Sequence, residues 1–386
     1  MKILFIGARL FDDISFYLLE EGVKSILTES NKDSPNLELA DNTFIVPRGM
    51  EKPMEIAILE NVDGVIPLIG IDAPLKDVAI MKEELESKYE IPVIASNLQA
   101  VDLSSDKIKT KRFFRKNYID TPNYFIANNI KELLKKIKNG SFKLDFPIVL
   151  KQSTGQAGRN IKIAKNLDEI KKYFSEFDSA LCEEYIEGSE ISIEVLCYKK
   201  RNKKEFFPLT PVYKGETTID GIHPLNKLRF APCEIESLNN EDIRKIATHI
   251  AKKLDGEGTI DIDFIYSKNN QKLFAIEINT RPSGTRYLSS ASSGINPLIK
   301  LVDMATGKFN TKLIKKEMKN YFAIEIPVGN YNGPKPSEPL KKFTKNSFVV
   351  HGPTNYERIT ISGETKEAVY KIANEVLGDN WTKLLK

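Results

Sequence analysis

The sequence predicts a mixed α/β fold: an N-terminal parallel α/β domain, an α+β core built on a larger antiparallel sheet, and a small C-terminal strand–helix domain. Three observations carry this. Short runs of Val, Ile and Leu alternate with helical patterns over the first hundred residues, implying a parallel sheet covered on both faces. Long runs at 191–198 and 206–213, with a hairpin at 263–281, read as antiparallel strands. A Pro/Gly-rich connection at 329–339 precedes one last strand and helix.

In order, 2–6 reads as a strand ending at Gly7, 12–21 as a helix, and 25–28 and 42–46 as strands. Residues 54–60 read as a helix, 64–68 as a strand, 74–89 as a helix and 93–95 as a strand. Gly7-Ala8-Arg9-Leu10-Phe11 lacks the G-x-G-x-x-G series, which gives no basis for NAD or FAD. Ser104-Ser105-Asp106 is a helix-capping signal for 107–117. Strand 124–126, helix 130–138 and strand 147–152 follow, then a turn or flexible loop at 153–160. Strand 161–164, helix 167–174 and strand 181–185 come next, and helix 241–254 precedes the hairpin. Further helices are expected at 297–306 and 366–377, the second after a strand at 357–362, with Val369, Ile372, Ala373 and Val376 in its apolar stripe.

Composition narrows the function classes. A chain of 386 residues with 41% hydrophobic and 28% charged residues is globular, and long enough for two or three domains. A net charge of +4 spread along the chain argues against a nucleic-acid surface. No apolar run approaches the ~20 residues of a membrane span, and no signal peptide is recognised. Cys182, Cys197 and Cys233 lie far apart and read as buried thiols of a reducing compartment, so the expected location is cytoplasmic. Three histidines make a His-based zinc site improbable.

Four motifs could carry chemistry. Asp263 on one strand of the hairpin and Glu277 and Asn279 on the next offer oxygen ligands to a hard cation, with Phe274, Ile276 and Ile278 anchoring the opposite face. Lys151 ends an apolar strand and leads into Ser153-Thr154-Gly155-Gln156-Ala157-Gly158, where Gly155 and Gly158 let backbone N–H groups approach phosphate. Lys107 opens a helix. Glu183-Glu184-Tyr185-Ile186 followed by Glu190 suits an extended hinge that reads adenine and ribose. Each motif alone is also what a solvated amphipathic hairpin, a glycine turn, a surface lysine or an acidic loop would show.

Taken in this order, the motifs resemble the ATP-grasp superfamily, most of all its biotin carboxylase and carbamoyl phosphate synthetase branch. Arg281-Pro282-Ser283 and Ser292-Ser293-Gly294-Ile295-Asn296-Pro297-Leu298-Ile299 are loosely similar to the pyrrolysine-pathway amino-acid ligase. The resemblance implies a pre-grasp domain at 1–101, a grasp domain at 102–308 with a mobile lid at about 113–184, and a closing domain at 309–386. It implies ATP with Mg²⁺ or Mn²⁺, phosphate contacts from Lys107 and Lys151, adenine reading by Glu184 and Ile186, and a ribose contact from Glu190. It gives Asp263, Glu277 and Asn279 as metal ligands and Arg281 as the residue facing the reacting phosphoryl group. Arg286 and Ser283 are expected at the substrate, and a loop at 217–224 falls where relatives contact theirs. The implied reaction is a ligase reaction: a small carboxylate, expected to be an amino acid, becomes an acyl phosphate that an amine attacks, with release of ADP and phosphate. A carboxyphosphate-forming ligase and a non-catalytic nucleotide sensor are the alternatives, and a homodimer is compatible with either.

Overall fold

The structure, a computed structural model, describes residues 1–139, 146–155, 158–200, 203–219, 226–334, 342–353 and 355–385. The N-terminal segment comprises β1 (Lys2–Ile6), α1 (Ser15–Glu20), β2 (Lys24–Glu29), β3 (Asn42–Ile45), α2 (Glu51–Leu59), β4 (Gly64–Pro67) and α3 (Leu75–Lys88). Its four strands form a parallel sheet in the order β3-β2-β1-β4. The first helix is shorter than expected, because Phe11–Asp13 forms a separate 3₁₀ turn. The expected strand at 93–95 is reduced to one bridge between Val93 and Val65.

Helices α4 (Leu98–Ser104) and α5 (Lys107–Lys116) lead into a second unit. The carboxylate of Asp106 accepts from the N–H groups of Ile108 and Lys109, so the capping signal does what its chemistry predicts. Then come β5 (Tyr124–Ala127), α6 (Ile130–Lys138), β6 (Ile148–Lys151), β7 (Lys162–Ala164), α7 (Leu167–Glu176) and β8 (Ala180–Glu184). Their antiparallel sheet, ordered β5-β8-β6-β7, closes a small core with Leu133, Leu150, Ile170 and Tyr173.

The remaining elements build one large sheet. They are β9 (Ser189–Lys200), β10 (Lys203–Pro208), β11 (Val212–Glu216), β12 (Arg229–Ala231), α8 (Asn240–Leu254), β13 (Gly258–Ser267) and β14 (Lys272–Asn279). After them come α9 (Arg286–Ser293), α10 (Pro297–Thr306), α11 (Thr311–Glu317), β15 (Phe322–Gly329), β16 (Ser347–His351), β17 (Glu357–Gly363) and α12 (Lys366–Leu377). Among the described residues the sheet holds nine strands, in the path β14-β13-β9-β11-β12-β15-β17-β16 with β10 beside β9. The single strand expected at 206–213 is therefore two, and Pro208 and Pro211 bracket the break, where a missing N–H interrupts a ladder. The C-terminal strands make no sheet of their own; β12 pairs β15 and continues the central one.

The two faces of β9 explain how the site is placed. Ile191, Ile193, Val195 and Cys197 point into a core closed by Ile243, Ala247 and Ile250 of α8. On the opposite face, Leu196 and Tyr198 pack against the N-terminal core, while Glu190, Ser192 and Glu194 share that parity farther back along the strand. One strand thus packs into two cores and carries a polar stretch along one face. All three cysteines are buried, and burial pushes the Cys182 and Cys233 thiols up to about 12. No helix of the described residues is long and apolar enough to cross a membrane.

Candidate active site

The site is a polar stripe across β9, β13 and β14. Ser192 lies opposite Asp263 and Asp263 opposite Glu277; Glu194 lies opposite Asp261 and Asp261 opposite Asn279. A β-bulge between Asp263 and Phe264 makes this register possible: Phe264 pairs with Ala275, skipping Ile276. Ala275 and Ile278, three residues apart, both reach the core, whereas Ile276 does not. Of the residues expected to anchor the hairpin's apolar face, Ile278 does so and Phe274 and Ile276 are displaced by the bulge.

Asp263 Oδ1 accepts from the ammonium of Lys214 at 2.7 Å. Asn279 Oδ1 accepts from Arg281 Nη2 at 3.2 Å, and Arg281 Nε donates to Asp72 of the N-terminal segment at 2.5 Å. Burial pushes the Glu277 pKa up; Lys107 and Lys151 pull against this, and Asp263 reinforces it. Lys107 and Lys151 are thus close enough to Glu277 to act on its charge. Among the described residues no three acidic, histidine or cysteine side chains converge. Two carboxylates and an amide fit Mg²⁺, which keeps part of its shell for substrate oxygens and water.

Behind the stripe, Ser192 Oγ donates to Asp261 Oδ1 at 2.6 Å. Glu194, 1% exposed, accepts from the Ser283 N–H at 3.2 Å. Burial, with Asp261 beside it, raises its pKa to about 8. Ser283 Oγ lies 2.8 Å from Thr285 Oγ1, so Ser283 lines the stripe's inner wall. Arg286, expected as a substrate clamp, is committed within the protein: Nε lies 3.2 Å from Asp13 Oδ2, and the guanidinium sits over the Tyr287 ring at 4.3 Å. Of the expected substrate loop at 217–224, residues 220–224 lie outside the described residues.

Most of the residues expected to bind nucleotide lie on the small sheet and on the segment that follows β8. Lys151 Nζ donates to Glu183 Oε2 at 2.8 Å, which puts Glu183 against a lysine. Glu184 accepts from Asn123 Nδ2 at 2.8 Å, Tyr185 is half-buried, and Ile186 is buried. Glu190 Oε1 accepts from Lys227 Nζ at 2.9 Å. Gly188 closes the hinge because a Cβ there would lie 2.1 Å from the Tyr266 carbonyl oxygen. The Lys107 N–H donates to the Ser153 carbonyl at 2.8 Å and its ammonium to the Gly155 carbonyl, which ties the loop to α5. Gly155 and Gly158 take φ of +121° and +75°, open to glycine and strained for other residues; Gln156 and Ala157 lie outside the described residues.

Beside the site lies a buried charge cluster. Glu325, fully buried on β15, accepts from Arg358 Nε at 2.6 Å and Arg229 Nη1 at 3.1 Å, with His351 Nε2 at 3.4 Å. The His351 ring stacks on Tyr287 at 3.9 Å. Residues that the sequence did not single out are Lys111, Lys214, Asp72, Glu194 and Asp261. Two had a signal: Asp261 shares parity with Asp263, and Glu194 with Glu190.

The family model for the ATP-grasp domain matches residues 104–285. A carbamoyl-phosphate synthase of Methanobrevibacter smithii is 54% identical over 377 residues, covering 98% of this chain and all of that protein. The carbamoyl phosphate synthase large chain of Helicobacter pylori is 26% identical over 319 residues, covering 80% of this chain but 28% of its own length. The biotin carboxylase domain of Hydrogenobacter thermophilus 2-oxoglutarate carboxylase shares the fold at a TM-score of 0.75 and 17% identity, covering 98% of this chain and 89% of its own. So does N5-carboxyaminoimidazole ribonucleotide synthetase of Thermotoga maritima, at 0.72 and 18%, covering 97% of this chain and 98% of its own. The chain belongs to the ATP-grasp family, among the homologues of carbamoyl-phosphate synthase.

Proposed function

We propose that this enzyme uses ATP to activate bicarbonate as carboxyphosphate for attack by ammonia, the first stage of carbamoyl phosphate synthesis. A bicarbonate oxygen attacks the γ-phosphorus, and the bond to ADP breaks. Ammonia nitrogen then attacks the carboxyl carbon, and phosphate leaves. The observation that carries the reading is the stripe of Asp263, Glu277 and Asn279 in register on neighbouring strands, with Arg281 bonded to Asn279 and Lys107 and Lys151 near enough to act on the Glu277 charge. The full-length match to a carbamoyl-phosphate synthase favours bicarbonate over an amino acid. Arg286 supports the same choice, since its commitment to Asp13 leaves it unsuited to clamp an amino-acid carboxylate.

In this reading Asp263, Glu277 and Asn279 hold Mg²⁺, which when bound neutralises phosphate charge. Lys107, Lys151 and the backbone of Ser153, Gly155 and Gly158 bind the phosphates. Glu184, Tyr185 and Ile186 bind the adenine, and Arg281 compensates charge that develops on the transferring phosphoryl group. The grasp domain spans 102–308, and residues at about 113–184 form its lid, a division supported by the separate core of the small sheet. ADP release that needs bicarbonate and is stimulated by ammonia supports the proposal. Release that ignores bicarbonate and needs an amino acid would overturn it.

Glu190 gives a sharper test of the ribose contact. Charge-assisted hydrogen bonds are worth roughly 1.5–3 kcal/mol, so Glu190→Ala should raise the KM for ATP about 10- to 150-fold. It should leave kcat at saturating ATP close to that of the parent. An unchanged KM would place the ribose contact elsewhere.

A further inference from the structure

Lys111 is the most buried lysine near the site, at 1% exposure, and the proposed reaction gives it no task. It lies one helical turn beyond Lys107 on α5, facing inward. Its ammonium donates to Thr121 Oγ1 at 2.8 Å and lies 3.3 Å from Glu183 Oε2. Lys151 reaches the same oxygen at 2.8 Å. Both lysines therefore share one carboxylate oxygen, while the other, Glu183 Oε1, is buried without a partner. Two cations and one anion leave an excess positive charge among buried side chains, at the base of the loop read above as the phosphate loop.

We infer that Lys111 is a positioning residue whose charge lets Lys151 leave Glu183 for the phosphates of ATP. If Lys151 were the only partner of Glu183, its departure would strand a buried carboxylate, which low-dielectric surroundings penalise heavily. With Lys111 in place, Glu183 keeps a counter-charge throughout. The proton affinities agree with such an exchange. Burial lowers the Lys111 pKa to about 8, with Lys151 pushing the same way and Glu183 opposing. The Glu183 pKa is held low, since the two lysines outweigh the effect of its burial.

The inference rests on reading Lys151 as a phosphate ligand, and the test separates the two. MgATP and adenosine affinities would be measured by calorimetry for the parent, K151A, K111M, K111R, E183Q and K111M/E183Q, with thermal unfolding as a check. K111M should weaken MgATP binding at least about 10-fold and adenosine binding far less, and K111R should stay near the parent. Neutralising Glu183 makes Lys111 dispensable, so K111M/E183Q should bind MgATP within about threefold of E183Q. That comparison stands even if K111M alone folds poorly, because the double variant removes both charges. A tenfold drop from E183Q to K111M/E183Q, or equal losses of MgATP and adenosine in K111M, would overturn the inference. Normal MgATP binding by K151A would instead overturn the reading of Lys151.

Discussion

Glu277→Gln should lower kcat at least about 10²-fold, the scale on which losing one electrostatic partner of a reacting centre is felt. The same change should leave the free protein as stable as the parent or more so. Glu277 sits where burial and Asp263 disfavour its charge, despite the pull of Lys107 and Lys151, as its raised pKa records. A neutral amide of the same shape removes that burden from the folded state while also removing a ligand that Mg²⁺ needs. Steady-state ADP release at saturating Mg²⁺, with a melting curve on the same sample, checks both halves. Near-normal turnover would refute the ligand assignment, and a large drop in Tm would show that Glu277 is structural.

The second large effect concerns stability. Glu325→Ala should destabilise the protein by about 3–5 kcal/mol, because it leaves Arg229 and Arg358 buried without their carboxylate. Removing the part-exposed Lys2–Glu60 pair should cost less than about 1 kcal/mol. Burial pushes the Glu325 pKa up, but Arg358, Arg229 and His351 outweigh it and hold the value at about 2. A folded-state pKa below the unfolded one gives stabilisation that is complete above the ordinary glutamate range. It is then lost as pH falls toward 2. Urea midpoints of parent and variant should therefore differ widely at pH 7, draw closer as pH falls below the ordinary glutamate range, and converge only near or below about pH 2. A constant gap across that range would show that Glu325 acts through packing alone.

Much of this was legible in the sequence, for physical reasons that differ by element. Helix α6 starts at Ile130 and ends at Lys138, matching its apolar periodicity, and the α5 cap follows from the acceptor chemistry of one Asp. That Glu277 and Asn279 share a face was legible because strand parity is rigid. The bulge at Ile276 was not, since it depends on pairing with a distant strand. Helix α9 was missed because Arg-Tyr-Leu-Ser-Ser-Ala-Ser-Ser is rich in residues that compete with the backbone for hydrogen bonds. Burial against Ala231 and Ala323 overrides that preference. Lys111, Lys214 and Asp72 look like solvated charges in sequence, and only their long-range partners distinguish them.

The unbroken central sheet has a consequence for protein engineering. Because β12 is hydrogen-bonded to β15, the stretch matched by the ATP-grasp model is not a transplantable module. A chain shortened before Phe322 would expose Arg229–Ala231 as a bare edge, with its N–H and C=O groups open to another molecule. Such a fragment would self-associate through strand addition, and chimeras within this family should exchange β9 through β17 as one piece.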